Sequence, residues 1–506
     1  MDGNHDRLCR GGYTTVINNT MNIPLDNVGA DSLFPTKTFC ALPWMHLSTR
    51  PNGHMRVCCT ANASAVAVNA NSQDKTASDI GILKNDDGRP ANLAHTGLLD
   101  AWNNTYMRTI RKQMLAGTQP ESCIKCFKEE EAGHNSKRIW ETRKWIKKLG
   151  IDDIIGETKE DGSVPPKIRY IDLRLGTKCQ LACVMCSPND SSGWIVEHKK
   201  IHPKLQNENL EKTMRWEKET GKLKDIGASY SWHRNNPTFW DELYAQIPTL
   251  EQLYWAGGEA LIMKDHYTLL QKIIDDGYAK KIELRYNSNG LEWDDNLFDL
   301  WKEFKEVIFH FSIDDIEDRL HFVRYPTVWE DCEKQLRVLD NYPYGNLKLT
   351  TAWTGIALNL FYLPEFIKWK LQSNFKLLNS WPSGAGIFSC HLAYWPPQLN
   401  VKALPQDFKT DIRSKFEDEF FPWLEANWEL CTGVKDSGVS YDVWRNSEYG
   451  IARFEGLLNF MDADDWSVRL PEMAEWCYAV AEQRGLDFNE IYPDMDWLEW
   501  YDERES

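Results

Sequence analysis

No stretch of this chain reaches the roughly 18 consecutive apolar residues that a membrane-spanning helix needs. The first residues also lack the short apolar run of a secretory signal. Internal repeats and low-complexity tracts are missing. An excess of positive charge is missing too: the net charge is −17, whereas a protein built to hold polyanionic backbones is normally basic. These absences point to a cytoplasmic globular protein with no membrane and no nucleic acid among its partners. They also bear on the 13 cysteines, because thiols in a chain without an export signal are expected to hold metals or clusters rather than disulfides. The 506 residues are enough for about three domains. The 23 tryptophans are expected mainly in packing.

Among the features present, Cys179-Gln180-Leu181-Ala182-Cys183-Val184-Met185-Cys186 dominates. It places three cysteines in a C-x3-C-x2-C spacing. The run Lys167 to Leu175 before it is β-branched and aromatic enough for a strand, which Gly176-Thr177 ends. The cysteines therefore fall in a loop at the C-terminal end of a strand, where α/β folds keep their chemistry. Three thiolates leave one iron of a four-iron cube open to a reacting ligand. Three buried cysteines, or part of a zinc knuckle, would be the plain alternative.

Strand candidates continue at 250–256, 281–287, 306–313, 346–357 and 388–395. Helical stretches such as Tyr267 to Asp276 and Asp294 to Phe304 lie between them. Strands alternating with helices predict parallel βαβ units, which right-handed crossovers would curl into a partial barrel. The ends of these strands are polar. They include Gly257-Gly258-Glu259, Asn287-Ser288-Asn289-Gly290, and Ser312-Ile313-Asp314-Asp315. Arg324, Thr354, Gly355 and Tyr394 follow. The glycines allow close approach of a ligand, and a carboxylate can accept from an ammonium group. Ser312 and Asp314 alternate onto one face. Turn formation is the other explanation for Asn289 and Asp315, a surface salt bridge for Arg324 and core packing for Tyr394.

The cysteine loop with its neighbours resembles the radical S-adenosylmethionine (SAM) enzymes. Ala260 and Met185 stand where that family usually has a proline and an aromatic residue. The resemblance implies that Cys179, Cys183 and Cys186 hold a catalytic [4Fe–4S] cluster. It implies that Gly257, Gly258 and Glu259 grip the methionine amine of SAM. Asn287, Ser288, Ser312, Asp314, Arg324, Thr354 and Tyr394 would serve its ribose, carboxylate and adenine. The activity implied is reductive cleavage of SAM to a 5′-deoxyadenosyl radical that abstracts hydrogen from a substrate. By analogy that substrate is a peptide or protein, with a carbohydrate or small polar metabolite as the alternative. A small flavodoxin- or ferredoxin-like protein would supply the electron. A non-catalytic iron–sulfur carrier is the rival reading.

Cys40 and Cys58 bracket Gly53 as C-x12-G-x4-C, around a Pro51-Asn52-Gly53 turn, and Cys123 and Cys126 form a C-x2-C. This resembles the auxiliary modules called SPASM and twitch, here placed before the barrel. It implies a second [4Fe–4S] cluster on Cys40, Cys58, Cys123 and Cys126, with Cys59 as a substitute for Cys58. Zinc is the alternative, since two cysteine pairs are equally a zinc pattern. Cys9, Cys332, Cys390, Cys431 and Cys477 have no partner spacing.

The expected organisation is an irregular lead-in over 1–35 and the cysteine-rich module over 36–150. A partial (β/α)6 TIM-like barrel over 165–400 follows, with 188–249 inserted above its mouth and a helical region over 401–506. One helix is expected from Leu98 to Leu115. Another is expected from Ser136 to Lys148, with its basic residues on a solvated face.

Overall fold

The computed structural model describes residues 33–61, 81–131, 136–210, 216–217, 222–223, 231–379, 387, 389–431, 439–447 and 450–502. The lead-in over 1–32, including Cys9, and Tyr230 lie outside them. The strands are β1 (His46–Thr49), β2 (Met55–Arg56), β3 (Tyr170–Leu173), β4 (Ala182–Cys183), β5 (Trp216–Glu217), β6 (Lys222–Leu223), β7 (Gln252–Trp255), β8 (Glu283–Ser288), β9 (Glu306–Ser312), β10 (Arg324–Tyr325), β11 (Leu347–Gly355) and β12 (Ser389–Leu392).

Eight of these strands form one sheet in the order β12-β11-β9-β8-β7-β3-β1-β2. All neighbours are parallel except β1 and β2, which form an antiparallel hairpin. Every strand expected after residue 165 is present, shorter by a few residues. The hairpin was expected as part of a separate module. It instead extends the sheet, because β1 pairs with β3 in parallel.

The two faces of the sheet differ in chemistry. Ile171, Leu253, Leu284, Val307 and Leu347 stand side by side on one face, and all are buried. This face packs on helices such as Lys264–Asp275, whose His266 meets the Tyr286 hydroxyl at 2.8 Å. Strands β8 and β9 alternate strictly between this buried face and a half-buried one. On the opposite face the matching row reads Arg56, Ser48, Asp172, Tyr254, Arg285. Such a polar row inside a fold needs partners.

Helix Lys137–Leu149 supplies several of them. Lys144 reaches Gln252 at 2.8 Å and Glu283 at 3.3 Å, and Lys148 pairs with Glu251. The Lys137 ammonium stands 5.7 Å from the centre of the Tyr170 ring. The expected solvated basic face is present at Arg143, Lys147 and Lys148, which are exposed, whereas Lys137 and Lys144 lie against the sheet.

The expected helix from Leu98 to Leu115 is two helices, Leu98–Trp102 and Thr105–Leu115. Asn104 breaks it by accepting from the Met107 amide at 2.9 Å as an N-cap. In the C-terminal region the stripe Leu470, Met473, Ala474, Cys477, Ala481 is the buried side of helix Leu470–Arg484. That helix ends at Gly485, whose φ of +67° is a left-handed cap. No helix among the described residues is long and apolar enough to cross a membrane.

Candidate functional site

The three-cysteine loop leaves β3 and is held from several sides. Ser192 donates its amide to the Thr177 carbonyl at 2.7 Å, and its hydroxyl accepts from the Cys179 amide at 3.2 Å. Trp194 Nε1 donates to the Cys183 carbonyl at 2.7 Å. Across the loop, Ala182 and Cys183 pair with Tyr325 and Arg324 as β4 and β10. The Glu259 amide donates to the Lys178 carbonyl at 2.7 Å, joining the end of β7 to the loop.

Gly257 and Gly258 make that junction possible. Both have positive φ, +75° and +57°. A Cβ on Gly258 would meet the Lys178 carbonyl oxygen at 2.6 Å, and one on Gly257 would press on the Arg174 side chain at 3.0 Å. The motif thus lies directly against the cysteine loop, as its place in the sequence led us to expect.

The neighbouring Cys186 thiol, and then the Arg324 guanidinium, hold the Cys183 thiol below its ordinary pKa, while the nearness of Cys183 and burial drive Cys186 well above it. Burial pushes Cys179 up to about 12. Arg324 Nη1 lies 3.8 Å from the Cys183 sulfur, and Asn289 Nδ2 lies 4.0 Å from that of Cys179. Three thiols gathered on one loop at a strand end suit an electrophilic iron centre.

Glu259 is buried, and its carboxylate is engaged within the protein. It accepts from Ser288 Oγ at 2.7 Å, the Asn289 amide at 2.8 Å and the Leu261 amide at 3.1 Å. Burial still raises its pKa. Three of its about four acceptor positions are taken, which leaves little for a ligand's ammonium group. Ser288 is correspondingly turned to Glu259, whereas Asn287 stands on the half-buried polar face. Ser312 and Thr354 share that accessibility.

Asp314 and Arg324 form a buried ion pair at 2.6 Å, so the surface alternative for Arg324 is corrected. Asp314 also accepts from the Thr354 amide at 2.7 Å. Burial raises the Asp314 pKa against the pull of Arg324. Asp315 is turned away, pairing with Arg319 at 3.0 Å. Tyr394 stands apart from the cysteine loop. Its ring lies 5.3 Å from the Lys125 ammonium and 5.4 Å from the Phe460 ring.

A second cysteine site lies in the N-terminal module. Cys40, Cys58, Cys123 and Cys126 line one cavity with Leu42, Val57, Met114 and Arg138. Burial raises all four thiols, with Cys123 at about 12 and Cys126 at about 11. Mutual repulsion adds to the shift of Cys40, Cys58 and Cys123. Four soft donors facing an apolar hollow, each paying to ionise, fit a metal or cluster whose positive charge would reverse that cost. Cys59 is not among the lining residues. Its sulfur lies 3.9 Å from the hydroxyl of Thr60, which does line the cavity. Among the described residues, no three His, Cys, Asp or Glu side chains already stand as ligands of a single ion.

Sequence reasoning missed Arg484. It is the last residue of helix Leu470–Arg484 and is buried behind the cysteine loop. It donates to the Ala182 carbonyl at 2.7 Å and the Phe322 carbonyl at 2.5 Å, pairs with Glu197 at 2.6 Å, and lies over the Trp194 and Tyr325 rings. An arginine before a C-capping glycine is too common for its sequence context to mark it.

No protein-family model matches the chain. No match is found among curated proteins either.

Proposed function

We propose that this chain is a radical SAM enzyme of the twitch-bearing kind. The observation that carries the reading is the close fit of Gly257-Gly258-Glu259 against the Cys179, Cys183 and Cys186 loop, at the ends of adjacent parallel strands. Strand ends and tight glycine turns are where a ligand's polar groups meet backbone most closely. The cluster and SAM would supply electron transfer and a 5′-deoxyadenosyl radical; the protein supplies binding, orientation and exclusion of water.

Cys179, Cys183 and Cys186 would hold the cluster. Glu259 fixes the ends of β7 and β8 relative to that loop. Arg324, held by Asp314, places positive charge beside Cys183. Asn287, Ser312 and Thr354 offer polar groups on the accessible face. Cys40, Cys58, Cys123 and Cys126 would hold an auxiliary [4Fe–4S] cluster, and a small reductant protein would deliver electrons. A peptide or protein leads as substrate by analogy of the module alone.

The barrel form has its own support. Strands β3, β7, β8, β9, β11 and β12 neighbour one another in chain order, as right-handed crossovers on one side produce.

Replacing Cys179, Cys183 and Cys186 together by Ala tests the proposal. Reduced, iron-reconstituted protein should then form no 5′-deoxyadenosine from SAM. Undiminished formation would reject it.

A further inference from the structure

The polar row across β2, β1, β3 and β7 contains one charge, that of Arg56, with no ion-pair partner among the described residues. Arg174 is paired with Asp172 at 3.3 Å, and Asp172 also accepts from Ser48 Oγ at 2.9 Å. Lys137 is paired with Glu141 at 3.6 Å. Arg56 is in register with Ser48 and so stands on the same row. It is only 8% exposed, and its Nε has no hydrogen-bond partner among the described residues. A buried guanidinium with an orphaned donor is costly unless something compensates it. Arg174 and Tyr254 beside it are half-buried, so the row can be reached. The Arg174 side chain also packs against Gly257, which brings the row next to the cysteine loop.

We propose that Arg56 and Arg174 form the recognition site for a carboxylate group of the substrate. This deepens the function proposed above and rests on it for the word substrate. Two arguments select the carboxylate. A planar guanidinium fork matches it with two parallel hydrogen bonds. The charge that Arg56 itself leaves unpaired among the described residues is a single unit, which a carboxylate cancels and a phosphate, at about −1.5 to −2, exceeds. The site would face both cysteine centres: Arg174 is next to the three-cysteine loop, and Arg56 precedes Cys58 by two residues.

Calorimetric titration of the full, anaerobically reconstituted chain tests this without SAM. The probes are N-acetylglycine, the neutral N-acetylglycinamide and inorganic phosphate, at matched ionic strength. N-acetylglycine should bind, while the amide and phosphate should bind at least about tenfold more weakly. Arg56→Lys keeps the charge but loses the fork, and should weaken N-acetylglycine about tenfold. Arg174→Lys should do the same and serves if the first variant loses its iron. Equal binding of the amide, preference for phosphate, absence of binding heat, or unchanged affinity in both variants would overturn the proposal. Formation of 5′-deoxyadenosine by the parent chain is measured separately. A parent that binds N-acetylglycine yet cleaves no SAM would overturn the radical reading and leave a carboxylate site.

Discussion

Glu259 shows how a residue's type can be legible while its task is not. Its place after two glycines was plain from the sequence. That its carboxylate would be claimed by Ser288, Asn289 and Leu261 was not, because those partners come from the next strand and turn. Glu259→Gln exchanges one acceptor for a donor facing other donors. The cost should be about 1–3 kcal/mol of stability, together with weaker SAM binding. Thermal unfolding and SAM titration read the two effects. Loss of SAM affinity with an unchanged melting temperature would return the carboxylate to direct ligand contact. The choice between Cys58 and Cys59 was equally open in the sequence, since adjacent residues share every spacing. The fold separates them: Cys58 lines the four-cysteine cavity and Cys59 does not. Cys58→Ser should therefore remove iron that Cys59→Ser leaves in place. Under the two-cluster reading the parent holds about 8 irons, and Cys123→Ala with Cys126→Ala lowers this to about 4. About 4 irons and one zinc in the parent, with only zinc lost in the variant, would instead make this a zinc site.

Elements were more legible than residues. Six strands stand where hydrophobic runs and turn signals put them, because each run buries one continuous face. The departures came from side chains acting at a distance. Asn104 splits a helix that periodicity alone would continue, and Lys144 of helix Lys137–Leu149 finds Gln252 and Glu283 over 100 residues away. Helix Leu470–Arg484 is the clearest case. Its apolar stripe was readable; its docking onto the cysteine loop through Arg484 was not. Arg484→Met leaves the buried Glu197 without its partner, at a cost of about 3–5 kcal/mol. Adding Glu197→Gln should recover part of that loss, a coupling that chemical denaturation of the two single variants and the double variant measures. Strict additivity would mean that the pair does not anchor the helix.

At the scale of the molecule, α/β class and a parallel sheet followed from the alternation of strands and helices. How the N-terminal residues join that sheet did not, since strand pairing leaves no local mark. The buried histidines have a collective consequence. Burial lowers His46 to about 4 and His198 and His266 to about 3. All three lie below the ordinary value, so the unfolded chain binds protons that the folded chain refuses. Their contribution is complete above about pH 6.5 and is lost as pH falls to about 4 for His46 and about 3 for His198 and His266. Together they can steepen the loss by up to about 4 kcal/mol per pH unit. Replacing His266 by Gln should flatten the acid slope of the denaturation midpoint by about a third of that. An identical slope would mean that His266 already titrates in the folded state.

Pairing of β1 with β3 makes the N-terminal hairpin a guard for the sheet. A shortened chain beginning near residue 151 would leave β3 with a bare row of amides and carbonyls, open to a strand from any neighbouring molecule. Such a fragment is expected to aggregate even if every group around its cysteine loop is intact. The first 150 residues are thus no detachable cassette, and any excision of the parallel core must supply a substitute edge.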